Sequence, residues 1–194
     1  LLPDQVVEFK KYLDQVHTLT SADYELLTAH LKSRSFKKGE ALVEAGAIQR
    51  ELYFVKRGIQ MAYFHAHDKE YVMAFTYAPG LCAIPDSFSF QQPSRYRLVA
   101  LTATEVDCLS YAHLQTTFDQ APQVERLFRK ITEQILAGMI TRHFELHSLS
   151  MEARFKNFCQ RSPHLLQEVP HKYLASYLGI DPTNFSKLYN SVRI

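Results

Sequence analysis

The sequence predicts an α+β fold in which helices at both ends of the chain flank an antiparallel β-roll. Apolar residues recur at helical spacing near both ends, and the middle of the chain consists of short β-rich runs separated by turn residues. The 194 residues are 46% apolar and 12% aromatic, which is enough for a substantial hydrophobic core. Helical and β-rich segments are therefore expected in separate parts of one globular protein.

The first 35 residues are predicted to be helical. The run DQVVEFKKYLDQV has apolar residues spaced by threes and fours, and the run TSADYELLTAHL begins at a Ser/Thr cap. From Phe36 onward the pattern changes to short strands, with glycine at their joints: Gly39, Gly46, Gly58 and Gly80. Glycine adopts the positive φ of a tight turn at little cost, so this part predicts an antiparallel roll or barrel. A helical pattern returns at Tyr111.

A long helix is predicted after Pro122. Its apolar residues recur every three or four positions over more than four turns: Val124, Phe128, Ile131, Ile135, Met139 and Ile140. One interpretation is a helix that packs only on its own roll. The other, which we favour, is a seam between the two subunits of a symmetric dimer, where Gly138 allows the helices to approach closely.

Two shorter helices are predicted beyond the long one. Ser150 and Ser162 are candidate N-caps, and Pro163 follows the second at the favoured first helical position. The segment HSLS at 147–150 is the expected joint between domains. We therefore predict N-terminal helices and the β-roll in 1–121, the long helix in 122–149, and a small helical domain in 150–194.

The last domain contains the segment HKYLASYLGIDPTNFSKLYN at 171–190, which has the pattern of a helix-turn-helix. Such a unit needs a small residue where its helices cross, a glycine in the turn and an apolar residue that closes the core. Ala175, Gly179 and Phe185 fill these positions. Further core residues follow at fitting spacings: Leu174, Leu178, Ile180 and Leu188.

The second helix of this unit is predicted to present polar side chains to a DNA major groove. Asp181 caps the helix and Pro182 stands in its first turn. Base reading is expected from Thr183, Asn184 and Lys187, with Ser186 as a further candidate. His171, Lys172 and Asp181 are expected to lie near the phosphates, and Asn190 is expected to reach a phosphate only. The alternative is a structural helical hairpin without DNA contact.

The charge distribution is compatible with a polyanion partner. The whole chain has a formal charge of +2, yet from Ser150 onward six basic residues stand against three acidic ones. An ordinary solvated face would show a similar excess.

These motifs resemble the Crp/Fnr superfamily of bacterial transcription regulators. FKKGEALVEAGAIQRELYFVKRGIQMAYF is similar to the family's opening strands, and MEARFKNFCQRSPHLLQEVPHKYLASYLGIDPTNFSKL is similar to the Crp-like regulators common in Bacteroidetes. The resemblance implies a cyclic-nucleotide-binding-type roll of the jelly-roll class, a dimerisation helix and a palindromic operator in double-stranded DNA. It also implies RNA polymerase as a partner. A cytoplasmic location is expected on separate grounds, because the sequence offers neither an apolar run of membrane-spanning length nor a signal-peptide pattern.

The sequence departs from the family's cyclic-nucleotide site. Where nucleotide-binding members carry Gly and Glu, this chain has Ile84 and Pro85 within APGLCAIPDSF. The family's phosphate-binding Arg and the Thr or Ser after it align with PSRYRLVAL, which offers Ser94 and Arg97 instead. We therefore expect no tight binding of cyclic AMP.

Two alternatives remain for what occupies this candidate effector pocket. It holds an unidentified small molecule, such as an anion near Arg95 or Arg97, or it is filled by aromatic side chains of the chain itself, such as Phe88 and Phe90. The alternative for the two arginines is that they are solvated or paired with carboxylates.

Other functional classes lack their motifs. The sequence has no nucleophile elbow, Walker loop or GxGxxG turn, so no catalytic residue is assigned. The cysteines are widely spaced without a CxxC pair, and we expect buried structural thiols: Cys82, Cys108 and Cys159. Two histidine pairs lack a carboxylate-rich frame, and we expect solvated or packing residues rather than metal ligands: His65 with His67, and His143 with His147.

The leading prediction is a homodimeric, sequence-specific DNA-binding transcription regulator with a degenerate effector roll. The alternative is a small-molecule sensor that acts through protein contacts without binding DNA. No apolar run reaches the roughly 18 residues that a membrane span needs, and no signal peptide is recognised.

Overall fold

The computed structural model describes residues 3–191, with side chains described from Phe9 onward. It confirms the α+β class, with antiparallel sheets in the middle of the chain and helices before and after them. The helices are α1 (Pro3–Asp14), α2 (Ser21–Thr28), α3 (Pro85–Phe90), α4 (Tyr111–Gln120), α5 (Pro122–Ser148), α6 (Met151–Arg161), α7 (Leu165–Glu168), α8 (His171–Leu178) and α9 (Pro182–Ser191).

The strands are β1 (Lys32–Phe36), β2 (Ala41–Val43), β3 (Glu51–Arg57), β4 (Ile59–Ala66), β5 (Lys69–Tyr77), β6 (Gly80–Cys82), β7 (Arg97–Ala100) and β8 (Thr104–Ser110). Within the described residues they form two four-stranded sheets, in the orders β1-β8-β3-β6 and β2-β7-β4-β5. Strands β1 and β3 both pair antiparallel with β8, so neighbours in the sheet are often distant in the sequence.

Strand β1 corrects the prediction that the first 35 residues are helical. It begins at Lys32 and pairs with β8 along its whole length, from Lys32 opposite Cys108 to Phe36 opposite Thr104. The sequence of β1, KSRSF, has little β pattern of its own. Its conformation is determined by pairing with β8, a strand far along the chain, and the local sequence therefore did not predict it.

The predicted turn glycines are used in two ways. Three of them adopt positive φ: Gly39, Gly46 and Gly58. At Gly58 a Cβ would also lie 2.5 Å from the carbonyl oxygen of Ala103, so both conformation and space require glycine there. Gly80 instead lies within β6, where a Cβ would approach the carbonyl oxygen of Tyr77 at 2.7 Å.

One of the two serines that were predicted to cap helices does so. The Ser150 hydroxyl accepts a hydrogen bond of 3.2 Å from the Ala153 amide and caps α6 as predicted. The Ser162 prediction was wrong. Ser162 ends α6, with its amide donating to the Phe158 carbonyl, and α7 begins three residues later without a side-chain cap.

The described residues fall into two compact units. The first lies within 1–62 and 75–134 and contains most of the roll and the first half of α5. The second lies within 63–74 and 135–194 and contains the tip of the β4–β5 hairpin, the second half of α5 and the C-terminal helices. The predicted division at 121 and 149 stays a prediction.

The first unit has two apolar clusters. One joins the N-terminal helices, α4 and the start of α5, and it includes Phe9, Leu13, Phe54 and Leu127. The other fills the interior of the roll with side chains from both sheets: Phe36, Leu42, Val43, Tyr53, Val55, Cys82, Ile84, Leu98, Ala100, Val106 and Cys108.

The three cysteines are free and buried, as predicted. Burial raises the pKa of Cys82 to about 12 and that of Cys108 to about 11, which keeps both thiols protonated at neutral pH. Among residues 3–191, no helix is both long and apolar enough to span a membrane. Within the same residues, no group of three His, Cys, Asp or Glu side chains is placed to hold a metal ion.

Candidate nucleic-acid interface

Helices α8 and α9 cross over a small core. Ala175 and Phe185 are fully buried at the crossing, and the rings of Phe185 and Phe155 pack edge to face with their centroids 5.4 Å apart. The predicted residues Leu174, Leu178 and Ile180 are also buried, whereas Leu188 is half-buried. The apolar spacing of the sequence thus produces the two packed helices that it predicts.

The turn between the helices is a Schellman motif. Gly179 has φ 62° and ψ 38°, the Ile180 amide donates to the Ala175 carbonyl at 3.0 Å, and the Gly179 amide donates to the Ser176 carbonyl at 3.2 Å. A Cβ at Gly179 would lie 3.3 Å from a methyl group of Leu146 and would strain the left-handed backbone. Glycine is therefore needed at this position.

Helix α9 begins with the predicted cap. The Asp181 carboxylate accepts a hydrogen bond of 2.8 Å from the Thr183 amide, and Pro182 occupies the first helical position. The start of α9 is thereby fixed on the core, so the directions of the side chains in its first turns are also fixed.

The first turns of α9 present a polar, largely exposed face. Thr183, Lys187 and Asn190 are exposed and Asn184 is half-buried. Ser186 is exposed as well, but its hydroxyl donates to the Pro182 carbonyl at 3.0 Å. The three main predicted base readers therefore lie at the surface: Thr183, Asn184 and Lys187. Within the described residues, no hydrogen bond from these three side chains competes with DNA contact.

The start of α8 carries the predicted phosphate contacts. The ring of His171 packs against Tyr189, with centroids 4.3 Å apart, and against Phe185. Lys172 is exposed, and its Nζ lies 3.4 Å from a carboxylate oxygen of Glu70 in β5. The pKa of Lys172 is raised, first by a hydrogen bond to the Tyr173 side chain and less by Glu70.

Two polar anchors that the sequence did not predict join α5 to the helices after it. Glu145 is buried and accepts a bidentate pair from Arg161, at 2.5 and 2.8 Å, and a further bond from Asn157. The Arg161 hydrogen bonds lower the pKa of Glu145. Arg154 donates to the carbonyls of Leu149 and Gly179 at 2.9 and 3.1 Å.

The seam residues predicted on α5 divide into two groups. Val124 and Ile131 are buried in the subunit's own core, and Phe128 packs there against Phe118 with ring centroids 5.4 Å apart. Ile135 and Met139 are 47% and 60% exposed. The exposed group also includes Ile140, which was predicted on the same apolar stripe, and two residues that were not predicted there: Leu136 and Phe144.

Two residues of the candidate effector pocket, Ile84 and Pro85, lie in the roll interior and at the start of α3. Ile84 is buried among the apolar side chains of the interior, and its amide donates to the Gln49 side-chain oxygen at 2.7 Å. Pro85 is the first residue of α3, a helix that was not predicted from the sequence. The expectation that Phe88 and Phe90 fill the roll was wrong. Phe88 belongs to the apolar cluster of the N-terminal helices, α4 and the start of α5, and Phe90 is 73% exposed.

The two candidate anion-binding arginines have other partners. Arg97 forms a bidentate ion pair with Glu44, with distances of 2.8 and 2.9 Å, and the guanidinium of Arg95 lies 5.9 Å from the ring centroid of Tyr96. Ser94 is buried, and its hydroxyl both donates to the Tyr96 carbonyl and accepts from the Tyr96 amide. The positions aligned with the family's phosphate site are therefore engaged within the chain.

Comparison with known proteins identifies the roll. Residues 33–121 match the family model of the cyclic nucleotide-binding domain. No curated protein sequence matches the chain.

Several solved structures share the fold over most of the chain. FixK2 from Bradyrhizobium japonicum is 17% identical, with a TM-score of 0.72 and 83% of each chain covered. The c-di-GMP responsive global regulator CLP from Xanthomonas campestris is 19% identical, with a TM-score of 0.64 and coverage of 88% of this chain and 90% of that one. The catabolite activator protein of Thermus thermophilus is 19% identical, with a TM-score of 0.57 and coverage of 90% and 84%. Residues 33–121 are therefore similar to a cyclic nucleotide-binding domain, and the chain has the β-roll fold that is also found in Crp-like proteins.

Proposed function

We propose that the protein is a homodimeric, sequence-specific DNA-binding transcription regulator of the Crp/Fnr type. The observation that carries this proposal is the exposed polar face of α9, which a capped and tightly packed helix-turn-helix holds in one orientation. The proposal includes a three-part organisation, with the roll to residue 121, the long helix at 122–149 and the DNA-binding domain from 150. It also includes RNA polymerase as a partner.

Dimerisation is proposed through the second half of α5. Ile135 and Met139 are both exposed and lie one turn apart on the same side of the helix, with Ile140 next to Met139. Contiguous apolar patches on soluble proteins are commonly binding surfaces. A second copy of the same helix is the proposed occupant, because a two-fold dimer pairs two recognition helices for a palindromic operator.

The roll is proposed to be a degenerate effector site. Apolar side chains of the roll cluster in its interior, the Ile84 amide donates to the Gln49 side chain, and Arg97 is paired with Glu44. An effector at this place would have to displace these contacts. We therefore propose either a ligand other than cyclic AMP or no ligand.

Replacing Lys187 by alanine is expected to reduce both affinity and specificity for the operator. A base contact from a side chain in the groove contributes roughly 1 to 3 kcal/mol of discrimination against the wrong base. Operator DNA would be selected from a random pool, and fluorescence anisotropy would then measure binding to the selected and the scrambled sequence at fixed salt. The selected sequence should lose more affinity than the scrambled one.

Lys172→Ala is the matched control, since it removes the same charge from α8 rather than α9. A phosphate contact carries no sequence information, so this variant should weaken the selected and scrambled DNA by the same factor. Equal losses on both DNA sequences for Lys187→Ala would contradict its assignment as a base reader. Failure of the unmodified protein to bind any duplex would overturn the proposed function in favour of a sensor that acts through protein contacts.

Cyclic AMP is expected to bind no tighter than about 0.1 millimolar. Charge-assisted hydrogen bonds contribute about 1.5 to 3 kcal/mol each, and the chain lacks the Gly-Glu pair that would supply two of them. Losing both weakens a micromolar site by about 3 to 6 kcal/mol. Calorimetric titration with cyclic AMP and cyclic GMP measures this directly. A dissociation constant at or below about 10 micromolar, near −7 kcal/mol, would show that Ile84 and Pro85 do not disable the site.

A further inference from the structure

The β4–β5 hairpin contacts α8, the first helix of the proposed helix-turn-helix, through the exposed Lys172–Glu70 pair and through Ser176, which binds the hairpin backbone. β5 is an edge strand of its sheet, so one side of its backbone has no strand partner. The Ser176 hydroxyl donates to the Glu70 carbonyl at 2.8 Å and accepts from the Val72 amide at 3.0 Å. One side chain of α8 thus takes both roles that a neighbouring strand would have.

Arg142 joins three elements at the same place. From the second half of α5, its guanidinium donates to the Met73 carbonyl at 2.9 Å and to the Tyr177 carbonyl at 2.8 Å. It also lies over the ring of Tyr177, 4.1 Å from the centroid. Burial lowers the pKa of Arg142, as expected for a cation largely removed from water.

The position of Arg142 along α5 is important for the proposed dimer. It stands three residues after Met139 and two after Ile140, both of which are exposed on the apolar surface that we assign to the second subunit. The planar fork of an arginine fixes the directions of its partners more strictly than a lysine does. Arg142 therefore ties the hairpin and the end of α8 to the helix that carries the seam.

The other anchors of the helix-turn-helix lie elsewhere. Glu145 with Arg161 holds α6, and Arg154 holds the turn at Gly179. Arg142 and Ser176 act on α8 itself, at Tyr177 and along the hairpin. Anchors at separate points restrain rotation of the helix-turn-helix about the α5–α6 joint, which a single anchor would leave free.

We propose that Arg142 and Ser176 are positioning residues that set the half-site spacing of the operator. In a two-fold dimer, the orientation of each helix-turn-helix relative to the seam helix determines the distance between the two recognition helices. That distance must match successive major grooves, which lie about 10 base pairs apart. The inference rests on the proposed dimeric DNA binding, and neither residue contacts DNA in it.

A spacing series tests the inference. Duplexes carry the same selected half-site twice, with the centre-to-centre spacing changed one base pair at a time, and a further duplex carries one half-site. The full-length dimer should prefer its best spacing over neighbouring ones by at least about tenfold, or about 1.4 kcal/mol. In Arg142→Ala and Ser176→Ala, this preference should fall below about threefold, while affinity for the single half-site stays unchanged.

Two further variants serve as controls. Arg129→Ala removes an arginine of the same helix that pairs only with exposed Glu133 among its described partners, and it should keep the preference of the unmodified protein. Ser176→Thr keeps the hydroxyl and should restore the preference that alanine removes. If Arg142→Ala fails to fold, the two serine variants decide, because Ser176→Ala removes the hydroxyl that binds the hairpin and Ser176→Thr keeps it.

The outcomes separate the two proposals. An unmodified protein that binds no duplex, or that binds single and paired half-sites alike, overturns the proposed dimeric function and this inference with it. An unmodified protein with a sharp preference that Ser176→Ala and a folded Arg142→Ala retain overturns the inference alone. Loss of single half-site affinity in the variants would show direct DNA contact or misfolding in place of positioning.

Discussion

Phe185→Ala should abolish specific DNA binding and unfold the helix-turn-helix, while the roll stays folded. Phe185 is fully buried, and its ring packs edge to face on Phe155 and near His171. Truncating a buried phenylalanine to alanine costs about 3 to 5 kcal/mol. A helical domain of this size has little stability beyond that amount.

The chain has no tryptophan, so the unfolded region is located by hydrogen exchange and not by tryptophan fluorescence. Hydrogen exchange should show loss of amide protection in 150–191 and unchanged protection in the strands of the roll. Phe90→Ala is the matched control: the same atoms are removed from a side chain that is 73% exposed, and the stability should change by about 0.5 kcal/mol or less. Retained operator affinity in Phe185→Ala would contradict the assigned core.

Ile135→Asp should convert the protein into a folded monomer with greatly reduced operator affinity. The substitution places a charge in the centre of the proposed seam, where it would be desolvated without a partner. Light scattering should then give 22.4 kDa, whereas the unmodified protein should give twice that mass. Because Val124 and Ile131 already lie in the subunit's own core, the monomer should keep its melting transition.

Gln134→Asp is the control for this variant, because it adds the same charge one position away at an exposed polar site. It should remain dimeric. A mass near 22.4 kDa for the unmodified protein at micromolar concentration would contradict the dimer, and a dimeric Ile135→Asp would show that the seam lies elsewhere.

The helical pair α8–α9 could be predicted from the sequence because its determinants are local. The Asp181 cap, Pro182 in the first turn and the left-handed Gly179 act on residues within one or two turns of themselves. Local signals also placed the starts of α4, at Tyr111, and of α6, after Ser150. The exposed face of α9 follows from these elements by helical geometry alone.

Contacts between distant segments could not be predicted. Arg142 and Ser176 bind backbone groups of a hairpin that lies 69 to 106 positions earlier in the chain, and backbone partners have no residue type to recognise. Strand β1 was missed because its pairing with β8 determines its conformation. For the long helix, the apolar spacing indicated which residues form an apolar face. It did not indicate which part of that face packs in the core of the same subunit and which part is left exposed.

The covered edge of β5 has a further consequence, for solubility. An unpaired strand edge is a site where two sheets join and aggregate, and this strand also carries the exposed apolar side chains of Tyr71 and Met73. Helix α8 occupies that edge through Ser176. Helix α8 thus protects the edge of the sheet from pairing with another chain. A fragment that ends before α6 would expose the unpaired backbone of β5 and would be expected to aggregate through it. Preparations of the isolated roll should therefore need a charged substitution on β5 to stay monodisperse.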